Sequence, residues 1–198
     1  VKPAGTTSLV LGTSSGIHAW HNDYYIRRLR VGKNEAIYKY LKAKHPELVD
    51  DEYFRPHDTA VIEIPQSAPK GSILRTESAF DLMERVKRVA TEWVSAGHEG
   101  GSNTHNVSAT ISLKKEDWDK AGEWMWKNRT SYNGLSVLPY DGGTYTQAPF
   151  EDITKKKFEE LVKLLQDVNL ENVMEETDET DLSGELACAG GSCEITSL

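Results

Sequence analysis

Apolar side chains recur along this chain in short runs whose spacing predicts β-strands. In segment 24–31, the apolar Tyr25, Leu29 and Val31 alternate imperfectly with arginines, as in a half-buried strand. Segment 59–66 is rich in β-branched residues and ends beside a proline, so it predicts a second strand. Further strands are predicted at 104–113 and 134–140.

A spacing of three and four residues predicts helices between these strands. The clearest pattern spans 76–97, and Gly97 ends it. The apolar face of this helix consists of Ala79, Met83, Val86, Ala90 and Trp93. Other helices are predicted at 34–47, 114–128 and 154–168. Strands that alternate with helices imply crossover connections and parallel pairing, so the predicted fold class is α/β. Four strands make a thin sheet, which suggests half of a larger sheet or barrel.

Composition and charge limit the kinds of partner and location that we expect for the protein. The chain has 198 residues, 38% of them hydrophobic, so it can bury a core in one domain or two. A net charge of −8 argues against nucleic acid or an anionic membrane surface as the main partner. No apolar run approaches a membrane span and no leader pattern opens the sequence, so we expect a cytoplasmic protein.

The acidic end of the chain carries both of its cysteines. No Lys or Arg follows Lys163, and the apolar residues there show no period, so a disordered tail is predicted over 168–198, following a folded region at 1–167. Cys188 and Cys193 are separated by four small residues that would allow a disulfide to form without strain. The spacing favours a redox-active dithiol; a chance pair of thiols and a structural disulfide are the alternatives. A metal site would need more ligands, and no His lies nearby.

The sequence KPAGTTS near the start has the residues of an anion-binding loop. Pro3 and Gly5 favour a tight turn, and a short helix predicted at 6–11 would present its first amides to a phosphate. The alternative is a plain turn with a helix cap, since the Lys of a P-loop is absent. His18, in GTSSGIHAW, is predicted to be structural. Trp124, Trp126 and Tyr132 are predicted to pack, and 139–149 is a Gly-rich loop without a readable catalytic pattern.

Together these stretches resemble the carboxyl-terminal part of ribonucleotide reductases. The resemblance is carried by KPAGTTS, GTSSGIHAW, YYIRRLRVGK, THNVSATI, WMWKNR, YNGLSVLPYDGGTYTQAPFEDIT and the terminal cysteine pair. The segments YYIRRLRVGK and DGGTYTQAP are similar to those of the adenosylcobalamin-dependent (class II) enzymes. Within that class they resemble the triphosphate-reducing branch more than the diphosphate-reducing branch. Tyr24 and Tyr25 are predicted to pack, since this class needs no tyrosine radical relay.

The resemblance implies a fold and a division of roles. It implies the second half of a ten-stranded α/β barrel that reduces ribonucleotides by thiyl-radical chemistry with adenosylcobalamin. It assigns the substrate phosphates to a loop formed by Ala4, Gly5, Thr6, Thr7 and Ser8. Cys188 and Cys193 become the shuttle pair, which reduces a disulfide in the barrel and is itself reduced by thioredoxin or a similar donor.

The resemblance also implies a partner. The chain has only two cysteines, so the radical cysteine and the barrel redox pair are both missing. We expect a separate chain to supply them, by association or by protein splicing. Two other hypotheses stay open: a non-catalytic binding or assembly module with a redox-sensitive tail, and a stand-alone thiol oxidoreductase. The acidic surroundings of the dithiol, which raise thiol pKa, weigh against the latter.

Overall fold

The computed structural model describes residues 1–140, 142 and 145–175, apart from the side chain of Thr6. The chain forms two compact units, one from residues 1–20 and 70–143 (unit 1) and one from residues 21–69 and 144–198 (unit 2). The helices are α1 (Thr6–Leu11), α2 (Ala36–Lys44), α3 (Ala79–Val89), α4 (Trp118–Lys127) and α5 (Lys155–Leu165). The strands are β1 (Tyr24–Gly32), β2 (Val49–Asp51), β3 (Thr59–Ser67), β4 (Thr110–Leu113), β5 (Ser136–Pro139) and β6 (Phe150–Asp152). None of the described helices is long and apolar enough to cross a bilayer.

Unit 2 is built on an antiparallel sheet in the order β2-β3-β1-β6. β1 and β3 pair along their whole length, from Tyr24 opposite Ser67 to Gly32 opposite Thr59. The prediction of parallel pairing is therefore wrong for this sheet. The reason is the short strand β2, which the sequence pattern does not reveal. After α2, the chain forms β2 in the same direction as β1. A turn then reverses the chain, and β3 lies between β1 and β2, antiparallel to both.

The core of unit 2 lies between this sheet and helices. Its buried side chains are Val31, Leu41, Leu48, Val49, Ala60 and Ile62, with Leu164, Leu165 and Val168 packed against them. Val168 therefore contacts the core, and a short 3₁₀ turn at Leu170–Asn172 follows it. The described chain thus continues in ordered contacts past the expected start of the tail at 168.

Unit 1 contains the parallel pair that the sequence predicted. β4 and β5 run parallel, with Ile111 opposite Val137, and helices α3 and α4 cover one face. Side chains alternate from Val107 to Leu113 between buried and more exposed positions, although the regular ladder begins only at Thr110. The predicted strand at 104–113 is thus confirmed over its last four residues.

Helix α3 begins and ends for identifiable reasons. A capping box between Ser78 and Asp81 satisfies the first amides and starts the helix at Ala79. Beyond Val89 the chain continues as a π-helix, Ala90–Ser95. There the Thr91 hydroxyl donates to the Lys87 carbonyl (2.9 Å), which competes with the regular backbone bond.

The wider π turn changes which side chains face the core. The prediction that Trp93 belongs to the buried face is wrong, because this side chain is 74% exposed. Met83 and Val86, which precede the π turn, are fully buried as predicted. A residue inserted into the helical repeat shifts the phase of every following side chain.

Glu52 is a buried acid that shapes the turn between β2 and β3. Its carboxylate accepts the amides of Phe54 and Arg55, both at 2.7 Å, and the guanidinium of Arg30. Burial alone would raise the pKa of Glu52, but these bonds outweigh it and hold the pKa below the ordinary value of 4.5.

We expect Glu52 to make unit 2 acid-sensitive. A lowered pKa in the folded state stabilises the protein above about pH 4.5, and the stability is lost as pH falls through the folded pKa. Glu52→Gln should flatten this part of the unfolding profile in circular dichroism. The exposed Glu171→Gln serves as control and should keep the wild-type slope. An unchanged acid slope in Glu52→Gln would refute this role.

Candidate functional site

The KPAGTTS loop ends in a short helix with free amides at its start. Helix α1 spans Thr6–Leu11, as predicted, and Gly5 is its N-cap. The first bond along the helix runs from the Leu9 amide to the Gly5 carbonyl, at 3.4 Å. The backbone amides of residues 6, 7 and 8 precede that bond, so they lack a carbonyl partner one turn earlier in the helix. Such amides are donors suited to an anion.

The hydroxyls of the loop differ in what they can do. Ser8 is buried, and its hydroxyl donates to the carbonyls of Ala4 (2.5 Å) and Gly5 (2.7 Å). Its proton is therefore committed to shaping the turn. Thr7 is exposed, while Ala4 is half-buried and Gly5 is exposed. Among the described side chains of residues 4–8, Thr7 therefore provides an outward-facing hydroxyl, beside the backbone amides.

Glycine 16 lets the following turn approach this loop closely. Gly16 has a positive φ of 59°, and a Cβ there would lie 3.2 Å from both the Lys2 carbonyl oxygen and the Pro3 Cα. The absence of a side chain therefore allows the GTSSG turn to lie against the backbone of residues 2 and 3. Within the same turn, the Thr13 amide donates to the Ser8 carbonyl at 2.9 Å.

The start of the loop is bonded beside strand β4. The Val1 nitrogen donates to the Asn106 carbonyl at 2.8 Å, and the Ser108 amide donates to the Val1 carbonyl at 2.9 Å. These two bonds place Val1 opposite Val107 in the pattern of a parallel ladder. The loop therefore follows a segment that runs alongside the residues leading into β4.

His18 connects the turn to β4. Its Nδ1 lies 2.9 Å from the Ser15 carbonyl oxygen, and its Nε2 accepts the Thr110 amide at 3.0 Å. The prediction that His18 is a satisfied structural residue is confirmed. The sequence did not indicate its partner, which lies 92 positions along the chain.

Arg85 binds the residue that precedes His18. Its guanidinium donates to the Ile17 carbonyl at 3.0 Å and forms a bidentate ion pair with Glu77, one bond of which measures 3.1 Å. Both side chains of the pair are largely buried. The bond to Glu77 raises the pKa of Arg85 above its ordinary value. Sequence inspection missed this contact, since nothing local marks Arg85 among the other cations of α3.

Replacing Arg85 by Met should destabilise unit 1. The change leaves Glu77 buried without its cation and the Ile17 carbonyl without a donor, at a cost of about 3 kcal/mol. Chemical denaturation followed by tryptophan fluorescence measures the loss. Arg88→Met removes an exposed pair with Glu92 on the same helix and should leave the midpoint unchanged. Equal midpoints for both variants would contradict the role given to Arg85.

The other sequence candidates are placed as follows. Trp124 stacks on Tyr132 at 6.0 Å and donates to Glu84, so their predicted packing is confirmed. Trp126 is 72% exposed and lies against the guanidinium of Arg129, so the prediction that it packs in a helix interface is wrong. Cys188 and Cys193 lie outside the described residues, as do positions 141, 143 and 144 of the Gly-rich loop.

The described residues offer no evident site for a metal or a corrin. They contain no cluster of three or more His, Cys, Asp or Glu side chains that could hold a metal ion. An open cavity of about 710 Å³ runs along α3, but charged side chains such as Asp81, Arg85 and Arg88 line it. Neither feature assigns a described residue to the corrin.

Comparison with known proteins shows which enzymes the chain resembles. No protein-family model matches the chain. Adenosylcobalamin-dependent ribonucleoside-triphosphate reductases from Lactobacillus gasseri and Euglena gracilis are 30% and 29% identical to it, each over 98% of the chain. A crystal structure of a B12-dependent (class II) ribonucleotide reductase superimposes with a TM-score of 0.71 and 27% identity, over 87% of this chain. The chain is homologous to a segment of the adenosylcobalamin-dependent ribonucleotide reductases.

The match covers only part of each relative, so the homology applies to one segment of the reductase. The chain spans 26% of the length of these curated reductases and 23% of the solved reductase chain. The resemblance predicted from the sequence motifs is confirmed, including the triphosphate branch, because that is how the relatives are named. The mixed α/β fold class is also confirmed by the solved reductase.

Proposed function

We propose that this chain is the part of an adenosylcobalamin-dependent ribonucleotide reductase that binds the substrate phosphates and carries the electron shuttle. The substrates would be ribonucleoside triphosphates, and the products the corresponding deoxyribonucleotides. The observation that carries the proposal is similarity over 98% of the chain to reductases of that name. The cytoplasm, where thiols are kept reduced, is the compartment that suits such chemistry.

The substrate phosphates would bind at residues 4–8. Three amides at the start of α1 have no carbonyl partner among the described residues and provide partial positive charge, and the exposed Thr7 adds a hydroxyl donor. The buried Ser8 supports the turn from below through its two bonds to carbonyls. In a chain of net charge −8, these oriented dipoles are what would attract an anion locally.

Replacing Thr7 by Val tests the loop. The isosteric change removes one hydroxyl donor, so affinity for the triphosphate should fall about tenfold, the value of one bond to a charged group. The KM of the assembled enzyme should rise while kcat changes little, because the group acts in binding. The control is Thr13→Val, just beyond α1 at another exposed position. Unchanged affinity in Thr7→Val would count against the loop.

Cys188 and Cys193 would carry electrons from an external dithiol to the barrel. One tail thiolate attacks the barrel disulfide and forms a mixed disulfide, releasing one barrel thiolate. The second tail thiolate then attacks the tail sulfur of that bond, which frees the other barrel thiolate and leaves a Cys188–Cys193 disulfide. Reduced thioredoxin restores the tail dithiol and is itself oxidised by two electrons.

A second polypeptide segment would complete the catalytic barrel. Among the described residues, helices cover one face of the parallel β4–β5 pair, and the other face exposes Thr110, Ser112, Ser136 and Leu138. No described strand pairs with the outer edge of β5. Parallel sheets are almost always covered on both faces, so this surface suits a barrel interior closed by further strands. Those strands would come from the amino-terminal reductase segment that supplies the radical cysteine.

The cofactor is assigned to the assembled enzyme alone. The relatives are named for their dependence on adenosylcobalamin, which would supply the radical chemistry when bound. We assign no cobalamin contact to the described residues of this chain.

Reconstitution tests the proposal. The chain would be combined with a reductase segment that contains the missing cysteines, adenosylcobalamin, reduced thioredoxin and a ribonucleoside triphosphate. Repeated turnover to deoxyribonucleotide should occur only when all components are present. A stable complex that forms no product would instead favour a non-catalytic assembly module.

A further inference from the structure

Two different groups accept hydrogen bonds from the backbone amides along the edge of β4 that faces away from β5. In a parallel strand, the amides of alternate residues point to the same edge. The Ser108 amide donates to the Val1 carbonyl, and the Thr110 amide donates to Nε2 of His18. The imidazole therefore occupies the place that a carbonyl of a neighbouring strand would take.

The two bonds of His18 define its tautomer. The Thr110 amide is only a donor, so Nε2 must accept; the Ser15 carbonyl is only an acceptor, so Nδ1 must carry the proton. One neutral ring thus links the GTSSG turn to the edge of β4. Few other side chains combine a donor and an acceptor at these two distances from the backbone.

The GTSSG turn, which His18 links to β4, also supports the amino-terminal loop. Gly16 lies against the backbone of Lys2 and Pro3, and the Thr13 amide donates to the Ser8 carbonyl. Displacing the turn from β4 would therefore remove the support beneath residues 2 and 3. It would also loosen the last turn of α1.

We propose that His18 is a positioning residue for the phosphate loop, acting through its bond to the Thr110 amide. This inference rests on the proposed phosphate-binding function. It adds that the loop is pre-organised by a side chain that does not touch the phosphate. Pre-organised amides bind an anion more tightly because they need not be ordered on binding.

Three variants separate the two bonds. His18→Gln places an acceptor near the position of Nε2 and keeps the bond to Thr110. His18→Asn keeps a donor near the position of Nδ1 but cannot reach Thr110. His18→Phe keeps the ring and loses both bonds.

The experiment uses the complete chain and inorganic triphosphate. Hydrogen exchange of the Leu9, Thr13 and Thr110 amides reports the loop, and titration followed by NMR reports triphosphate affinity. In His18→Asn and His18→Phe, exchange of these amides should rise at least tenfold and affinity should fall about fivefold, with β1–β3 amides unchanged. His18→Gln should restore both properties to near wild-type values, which a general loss of packing would not allow.

The outcomes separate the inference from the proposed function. Wild-type exchange and affinity in His18→Asn and His18→Phe would overturn the inference. Equal losses in His18→Gln and His18→Asn would overturn the role of the Thr110 bond. A wild-type chain that does not bind triphosphate would overturn the proposed phosphate loop, whatever the exchange data show about His18.

Discussion

Replacement of Cys188 by Ser should abolish thioredoxin-driven turnover of the assembled reductase. A tethered dithiol reaches an effective concentration of about 1 mM at the barrel disulfide, whereas free thioredoxin at micromolar concentration does not. The steady-state rate should therefore fall on the order of 10²-fold or more. Cys193→Ser should have the same effect, because a mixed disulfide without its resolving thiol cannot be released.

Two controls separate electron transfer from folding. Ser192→Ala changes the residue beside Cys193 and should leave turnover intact. A small dithiol such as dithiothreitol, which can enter the barrel directly, should restore part of the activity of Cys188→Ser. Full thioredoxin-driven turnover in Cys188→Ser would exclude the shuttle role.

Replacing Leu138 by Asp should prevent assembly of the enzyme without unfolding the chain. Leu138 is 41% exposed on the uncovered face of β5, so a carboxylate there is tolerated in the free chain. In a completed barrel the same carboxylate would be buried without a partner, at a cost of several kcal/mol. Affinity for the amino-terminal segment should then fall more than about 100-fold.

The control for this prediction is a matched change elsewhere. Leu170→Asp also places a carboxylate at an exposed leucine, in the 3₁₀ turn after α5, and should assemble normally. Thermal unfolding of both free variants checks that each remains folded. Normal assembly of Leu138→Asp would refute the assignment of this face to a barrel interior.

The sequence predicted the helices and strands whose bounds depend on residues within the segment itself. Helix α1 was predicted to the residue, and β1 and β3 nearly so, since their periodicity and breakers lie within the segments themselves. The direction of β3 was not predictable, because it depends on β2, a strand of only three residues without a clear pattern. The exposure of Trp93 depends on a π turn, which apolar spacing does not reveal.

The candidate site shows the same division. Motif resemblance assigns the proposed phosphate loop to residues 4–8, but it does not reveal which contacts hold that loop in place. That support comes from His18 with Thr110 and from Arg85 with Ile17, contacts that join residues 92 and 68 positions apart. Ser8 was predicted as a phosphate ligand, whereas its hydroxyl donates inward to Ala4 and Gly5. Single-sequence patterns contain little information about such pairs.

The central claim is tested most directly by counting products formed without external reductant. The assembled enzyme is fully reduced, separated from reductant, and mixed with adenosylcobalamin and a ribonucleoside triphosphate. Each deoxyribonucleotide consumes one dithiol, so the barrel pair and the tail pair should together yield about two products per enzyme. The double variant Cys188→Ser/Cys193→Ser should yield about one. The same yield with and without the tail cysteines, or no deoxyribonucleotide with either, would contradict the account.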